Sequence, residues 1–122
     1  MTFDGGFGII IVGGDFMTVV DRNKIDIVYV EEGKVFLCIS DHLNWENDNL
    51  AVHWQILQDK IKDYMGFIQS GQFKEKYPNG EKPCIKICFS YEWPEVVDKY
   101  LNKLKDLHAQ YGCELTWVYD PR

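Results

Sequence analysis

The side chains best suited to chemistry stand in one short polar stretch before a helical pattern. Asp41 and His42 lie in this stretch, and His53 follows within the helical pattern. Carboxylate and imidazole groups can act as general acid and base at neutral pH. With Asp48 added, the same groups can hold a divalent metal ion. One hypothesis from these residues is therefore a small hydrolase or a metal-binding enzyme.

The same stretch has a second interpretation, in which its residues cap the helix or bind a partner. Asp, Asn and Ser are the residue types that cap helix N-termini. A Trp beside a cap, such as Trp45, usually packs against the core, whereas Trp93 in its aromatic loop could anchor a partner. This interpretation is the one the sequence favours, and it predicts no catalytic residue, no metal ligand and no cofactor. The candidate binding residues are Asp41, His42, Trp45, Asp48 and Trp93.

Charge and composition exclude several partners. The 122 residues carry a formal net charge of −6, and only Arg22 and Arg122 supply guanidinium groups, so nucleic-acid binding is not expected. The longest apolar run, residues 8–14, is too short to span a bilayer. All four cysteines fall in apolar, strand-like segments, where reduced thiols act as small hydrophobes. These features predict a cytoplasmic protein with no membrane partner.

Apolar spacing predicts two helices and four core strands. Residues 50–68 and 94–111 have apolar side chains at steps of three and four. The predicted helix ends are Asp48 or Asn47 and Gly71 for the first helix, and Pro94 and Gly112 for the second. The predicted strands are 25–30, 35–40, 84–91 and 113–119, with a hairpin turn at 31–34. The order β-β-α-β-α-β predicts an α+β two-layer sandwich, with both helices on one face of a mainly antiparallel sheet.

Alternation along the strands divides the apolar residues between two sheet faces. The helix-facing set is Ile25, Ile27, Tyr29, Val35, Leu37, Ile39, Ile85, Ile87, Phe89, Leu115, Trp117 and Tyr119. The reverse set is Val28, Val30, Phe36, Cys38, Cys84, Cys88 and Val118, interrupted by Asp26, Lys86, Glu114 and Thr116. The reverse face is too apolar for open water, so we expect a second copy or the N-terminal segment to cover it. The leading functional prediction is a small acidic protein-interaction module that forms a homodimer and binds another protein.

The N-terminal residues differ from the rest of this single predicted domain. Residues 7–12 predict an extra strand, and residues 16–20 a return strand that would complete a hairpin. The codons permitted by Gly13, Gly14 and Asp15 allow a ribosome-binding sequence just before Met17. One hypothesis is therefore that residues 1–16 form an upstream extension of a 17–122 core. The other is an ordinary N-terminal strand.

The segment Ile39-Ser40-Asp41-His42-Leu43, then Trp45, precedes a helix that ends in Phe67-Ile68-Gln69-Ser70-Gly71. This pattern resembles a family of short uncharacterised bacterial proteins with an I-S-D-H-L-x-W segment before a helix ending near F-I-x-S-G. The resemblance implies a bacterial, cytoplasmic origin and a start near Met17. The family has no assigned activity, so the resemblance implies no catalytic residue. Asn44 stands where the pattern leads us to expect an acid, which weakens the metal-site hypothesis.

Overall fold

A computed structural model of the chain describes residues 2–3, 7–9, 24–25, 27–46 and 48–121. The described elements are β1 (Thr2–Phe3), β2 (Phe7–Ile9), β3 (Lys24–Ile25), β4 (Ile27–Glu31), β5 (Lys34–Asp41), α1 (Leu50–Gln69), α2 (Gln72–Lys76), β6 (Lys82–Phe89), α3 (Glu95–Ala109) and β7 (Glu114–Tyr119). The α+β class and the order of the main elements are as predicted. The short helix α2 is an addition that the sequence pattern did not indicate.

The main sheet has four strands in the order β4-β5-β6-β7. Strands β4 and β5 are antiparallel, whereas β5–β6 and β6–β7 are parallel. The expectation of a mainly antiparallel sheet was therefore wrong, and the sheet is mixed. Parallel neighbours require a crossover that returns the chain to the starting end of the sheet. Helix α1 with α2 provides the first crossover, and α3 provides the second.

A second, three-stranded sheet has the order β1-β2-β3. Strand β2 pairs antiparallel with β1 and parallel with β3. The predicted strand at 7–12 thus has a described counterpart at Phe7–Ile9. The predicted turn and return strand, residues 13–20, lie outside the described residues.

The helix boundaries follow the sequence signals with small shifts. The N-cap of α1 is Asn49, and its side chain makes no capping hydrogen bond. The prediction of Asp48 as the N-cap was therefore wrong by one residue. The alternative, Asn47, lies outside the described residues. Gly71 adopts the left-handed conformation predicted for it, with φ of 92°. Pro94 is the N-cap of α3 and lies one residue before its first helical position.

The core lies between the main sheet and the helices. Its sheet side chains are the predicted ones on β5 and β6 together with Leu115 on β7. From α1, the buried apolar side chains are Leu57, Ile61, Tyr64, Met65 and Phe67. The Tyr64 hydroxyl donates a hydrogen bond of 2.7 Å to the backbone carbonyl of Cys38, which fixes α1 to β5.

Strand β4 presents the opposite alternation to the predicted one. The ladder pairs Val28 with Leu37 and Tyr29 with Phe36. Directly opposite residues share a face, so Val28 joins the core, at 6% exposed, and Tyr29 lies on the reverse face. The cause is the two-residue turn at Glu32 and Gly33, which pairs odd-numbered with even-numbered positions.

The reverse face is partly covered and chemically mixed. Cys38 and Cys84 are buried there, while Tyr29 and Phe36 are half-buried and stack at 4.7 Å between ring centroids. Lys86 Nζ donates a hydrogen bond of 3.3 Å to the Tyr29 hydroxyl. All four cysteines are free thiols. Among the described helices, none is both long and apolar enough to cross a membrane.

Candidate functional site

The candidate corner forms where the end of β5 meets the start of α1. Asp41 is the last residue of β5, and its backbone carbonyl accepts a hydrogen bond of 2.9 Å from Ser90 N–H, just after β6. His53 lies in the first turn of α1. The carboxyl ends of two parallel strands and a helix N-terminus therefore meet at this point. Loops at this end of parallel sheets often carry functional groups.

Asp41 and His53 form a buried pair. Their side chains are 0% and 1% exposed, and His53 Nε2 lies 2.6 Å from Asp41 Oδ2 and 2.8 Å from Oδ1. Asp41 Oδ1 also accepts a hydrogen bond of 3.1 Å from Leu43 N–H. The prediction that these two residues converge on one corner is therefore matched by their geometry.

Asn44 holds the other edge of the His53 ring. His53 Nδ1 donates to the Asn44 backbone carbonyl at 2.8 Å, which requires the proton to be on Nδ1 because a carbonyl oxygen only accepts. The Asn44 side-chain oxygen accepts from Glu46 N–H at 3.3 Å and from Asn49 Nδ2 at 3.2 Å. Asn44, at the position where an acid was expected, thus holds the loop through its backbone carbonyl and its side-chain oxygen.

Trp45 covers the pair. Its ring stacks on the His53 ring with centroids 3.5 Å apart and an interplanar angle of 18°, and it tilts against Phe89 at 5.9 Å. Trp45 Nε1 is buried without a hydrogen-bond partner among the described residues. Both nitrogens of His53 face acceptors and its ring lies against an indole. A substrate would have to displace these contacts to reach either His53 or Asp41.

The remaining candidates do not join this pair in a metal centre. His42 and Asp48 are exposed. In the described part of the chain, no group of three or more His, Cys, Asp or Glu side chains is placed to hold a metal ion. The arrangement of the described residues therefore gives no support to the metal-site hypothesis for Asp41, His42, His53 and Asp48.

Trp93 occupies the loop before α3 and packs inward. Its Nε1 donates to Asp98 Oδ1 at 3.0 Å, and its ring tilts against Phe89 with centroids 4.9 Å apart. Asp98 lies in the first turn of α3. Trp93 therefore ties the loop to the start of α3. Its ring and the ring of Trp45, another predicted site residue, both contact Phe89.

Two lysines that were not among the predicted site residues have unusual surroundings. Lys60 is fully buried, and its Nζ lies 5.5 Å from the centroid of the Tyr64 ring. Burial of a lysine normally requires compensating contacts. A signal was present in the sequence, because Lys60 falls within the apolar stripe of α1, three residues after Leu57. Lys86 is the second, and its hydrogen bond to Tyr29 raises its pKa.

Strand β7 forms one end of the main sheet, and β4 forms the other. Its inner edge pairs with β6, and no strand in the described part of the chain pairs with its outer edge. Val118 and Tyr119 are exposed at 39% and 48%. The strand contains no proline, no lysine and one acid, Glu114, which is bonded to Lys34 at 2.8 Å. Edge strands usually avoid pairing through proline, lysine or inward-pointing charges, and β7 lacks this protection.

Comparison with known proteins gives one match. The family model of DUF6572, a family of unknown function, matches residues 17–120. No curated protein matches the chain, and no solved structure matches it. The family match covers the main sheet, the three described helices and the Asp41–His53 pair. The chain therefore belongs to DUF6572, a family of unknown function.

Proposed function

We propose that this protein is a non-enzymatic protein-interaction module that forms a homodimer through the outer edge of β7. The observation that carries the proposal is the unprotected six-residue edge of that strand. Exposed edges with free backbone groups are templates for pairing with another chain. The same strand of a second copy can pair with this edge, so no other protein is needed.

One hydrogen bond to β6, made just after β7, shows which backbone groups of β7 point away from β6 and are available for pairing. Asp120 N–H donates to the Phe89 carbonyl at 2.7 Å. In a parallel ladder, alternate residues direct both N–H and C=O to the same neighbour. Residues 116, 118 and 120 therefore bond to β6. Leu115, Trp117 and Tyr119 direct their N–H and C=O groups outward.

The sequence of β7 is compatible with pairing to itself. Antiparallel pairing about a two-fold axis at Thr116 sets Glu114 opposite Val118 and Leu115 opposite Trp117. Pairing about Trp117 sets Leu115 opposite Tyr119. Pairing about Thr116 places no like charges opposite each other, whereas pairing about Trp117 sets Glu114 opposite Asp120, which would be destabilising, so the Thr116 register is the favoured one. Both registers keep the helices of the two copies on the same side of a continuous eight-stranded sheet.

The experiment compares the oligomeric state of two variants at one position. Tyr119→Pro removes an outward N–H and leaves the ladder to β6 intact, whereas Tyr119→Ala removes the same side chain but keeps the N–H. Sedimentation should give twice the 14.3 kDa chain mass for the native protein. Tyr119→Pro should be monomeric at the same concentration, and Tyr119→Ala should remain largely dimeric.

Three results would count against the proposal. A native protein that is monomeric at high micromolar concentration would remove the homodimer. Equal weakening by Tyr119→Pro and Tyr119→Ala would mean that the side chain, and not the backbone edge, makes the contact. A dimer unaffected by Tyr119→Pro would place the interface elsewhere. Circular dichroism of each variant shows whether the fold is retained.

The hydrolase alternative has less support from the corner itself. Asp41 and His53 are in hydrogen-bond contact, as an acid–base pair requires. However, His53 is bonded at both ring nitrogens and covered by Trp45. These contacts suit a pair that fixes the β5–α1 loop. We therefore give the pair a structural role in the proposal.

A further inference from the structure

A groove between α1 and α3 lies on the helix layer, apart from the edge of β7. Its volume is about 300 Å³, at the lower end of the usual range for small-molecule sites. Residues from both helices and the turn after α3 line it. Its apolar lining side chains are Ile61, Met65, Leu104, Leu107 and Tyr111.

His108 is the buried polar residue of this lining, which also contains Gln58, Lys62 and Gln69. Its side chain is only 7% exposed, and its Nδ1 is buried with no hydrogen-bond partner among the described residues. An unsatisfied buried polar atom is costly, so in a native protein it requires an explanation, such as a bound group that supplies the missing hydrogen bond. Burial also lowers the pKa of His108, which favours a neutral ring. A neutral imidazole has one N–H and one free lone pair.

We propose that this groove binds a small neutral molecule that has an apolar body and one hydroxyl group directed at His108. A hydroxyl group serves either tautomer of the ring, because it can both donate and accept a hydrogen bond. A carboxylate can only accept, and it would lose its hydration in an apolar groove. The lining contains one exposed cation, Lys62, and no acidic residue.

The test uses 4-ethylphenol as the probe and ethylbenzene as a probe of similar size without the hydroxyl group. Each is titrated into isotopically labelled protein, and the amide shifts of Met65, Leu104 and His108 are followed. We expect saturable shifts, with 4-ethylphenol binding about five- to tenfold more tightly than ethylbenzene, as one hydrogen bond would give. In His108→Leu the two probes should bind with equal affinity.

Gly66→Leu provides a variant that blocks the groove without altering the core. Gly66 lies on the groove wall within α1, and a Cβ there meets no atom within 4 Å. The added side chain should weaken 4-ethylphenol binding at least tenfold. Gln55→Leu adds the same side chain to an exposed position of α1 that does not line the groove. It should leave binding unchanged.

Several outcomes would overturn the inference. They are the absence of saturable shifts with either probe, equal affinity of the two probes for the native protein, and unchanged binding in Gly66→Leu. Tighter binding of 4-ethylbenzoate than of 4-ethylphenol would show that the groove prefers an anion to a neutral hydroxyl group, which contradicts the proposal. None of these results depends on the oligomeric state, so failure here is distinct from failure of the homodimer.

Discussion

At the scale of single residues, Asp41 and His53 form a buried pair with their polar atoms 2.6 Å apart. Sequence reasoning found both residues because a carboxylate and two imidazoles cluster around one predicted helix start. It could not decide which of the two histidines, His42 or His53, contacts Asp41. Only the phase of α1 decides that His53 turns inward to Asp41, while His42 remains exposed.

Removal of Asp41 should destabilise the fold. In Asp41→Ala, His53 Nε2 and Leu43 N–H lose their acceptor while remaining buried. The free energy of unfolding, measured by urea denaturation, should fall by about 3–5 kcal/mol. Asp48→Ala changes an exposed acid in the same loop and should alter it by less than about 0.5 kcal/mol. Similar losses in the two variants would reject a structural role for the pair.

His108 should make the fold sensitive to acid. Its pKa is lowered in the folded protein, so below an ordinary value of about 6.5 the unfolded chain binds more protons. Its contribution to stability is therefore complete above that value and is lost as the pH falls through the folded pKa. Between pH 7.5 and 5, the unfolding free energy of His108→Gln should fall less than that of the native protein. The exposed control His42→Gln should follow the native curve, and a parallel curve for His108→Gln would contradict the assignment.

At the scale of elements, two glycines in or near α1 should respond in opposite directions to replacement by alanine. Gly71 has φ of 92°, whereas Gly66 lies in the helix interior with open space where a Cβ would stand. Gly71→Ala should lower the free energy of unfolding by about 1 kcal/mol, because the left-handed region penalises a Cβ. Gly66→Ala should raise it by about 0.5–1 kcal/mol, because alanine favours the helix.

Thermal and urea unfolding of the two variants provide the measurement, and each variant is the matched control for the other. A loss of stability in Gly66→Ala, or no loss in Gly71→Ala, would contradict the assigned conformations.

The sequence predicted the helices and main strands because their apolar periods are clear, but it gave the wrong face for β4. The two-residue turn at Glu32 and Gly33 pairs Glu31 with Lys34. This pairing reverses the alternation between the strands, and the turn could have been used to predict it. The direction of β6 and β7 was harder to predict, because apolar spacing within a strand is the same for parallel and antiparallel neighbours.

At the scale of the whole molecule, the net charge of −6 opposes association of two copies. Added salt screens this repulsion, so the Kd of the proposed dimer should fall by a factor of about 3 to 10 between 50 and 300 mM salt. Sedimentation at several concentrations measures it.

A variant with Glu75→Gln and Asp106→Asn is the control for this salt effect. It replaces two exposed acids and reduces the net charge from −6 to −4. The salt dependence should be smaller in this variant. A native dimer that dissociates as salt is added would show attraction between charges at the interface instead.

The four strands of the main sheet lie side by side in the order in which they occur along the chain. A chain leaving the ribosome would therefore add each strand beside one already made, without inserting it between two earlier strands. β7 is synthesised last and becomes the growing end of the sheet. In a polysome, where nascent copies are close together, two such strands would be available to each other once both copies of β7 have emerged.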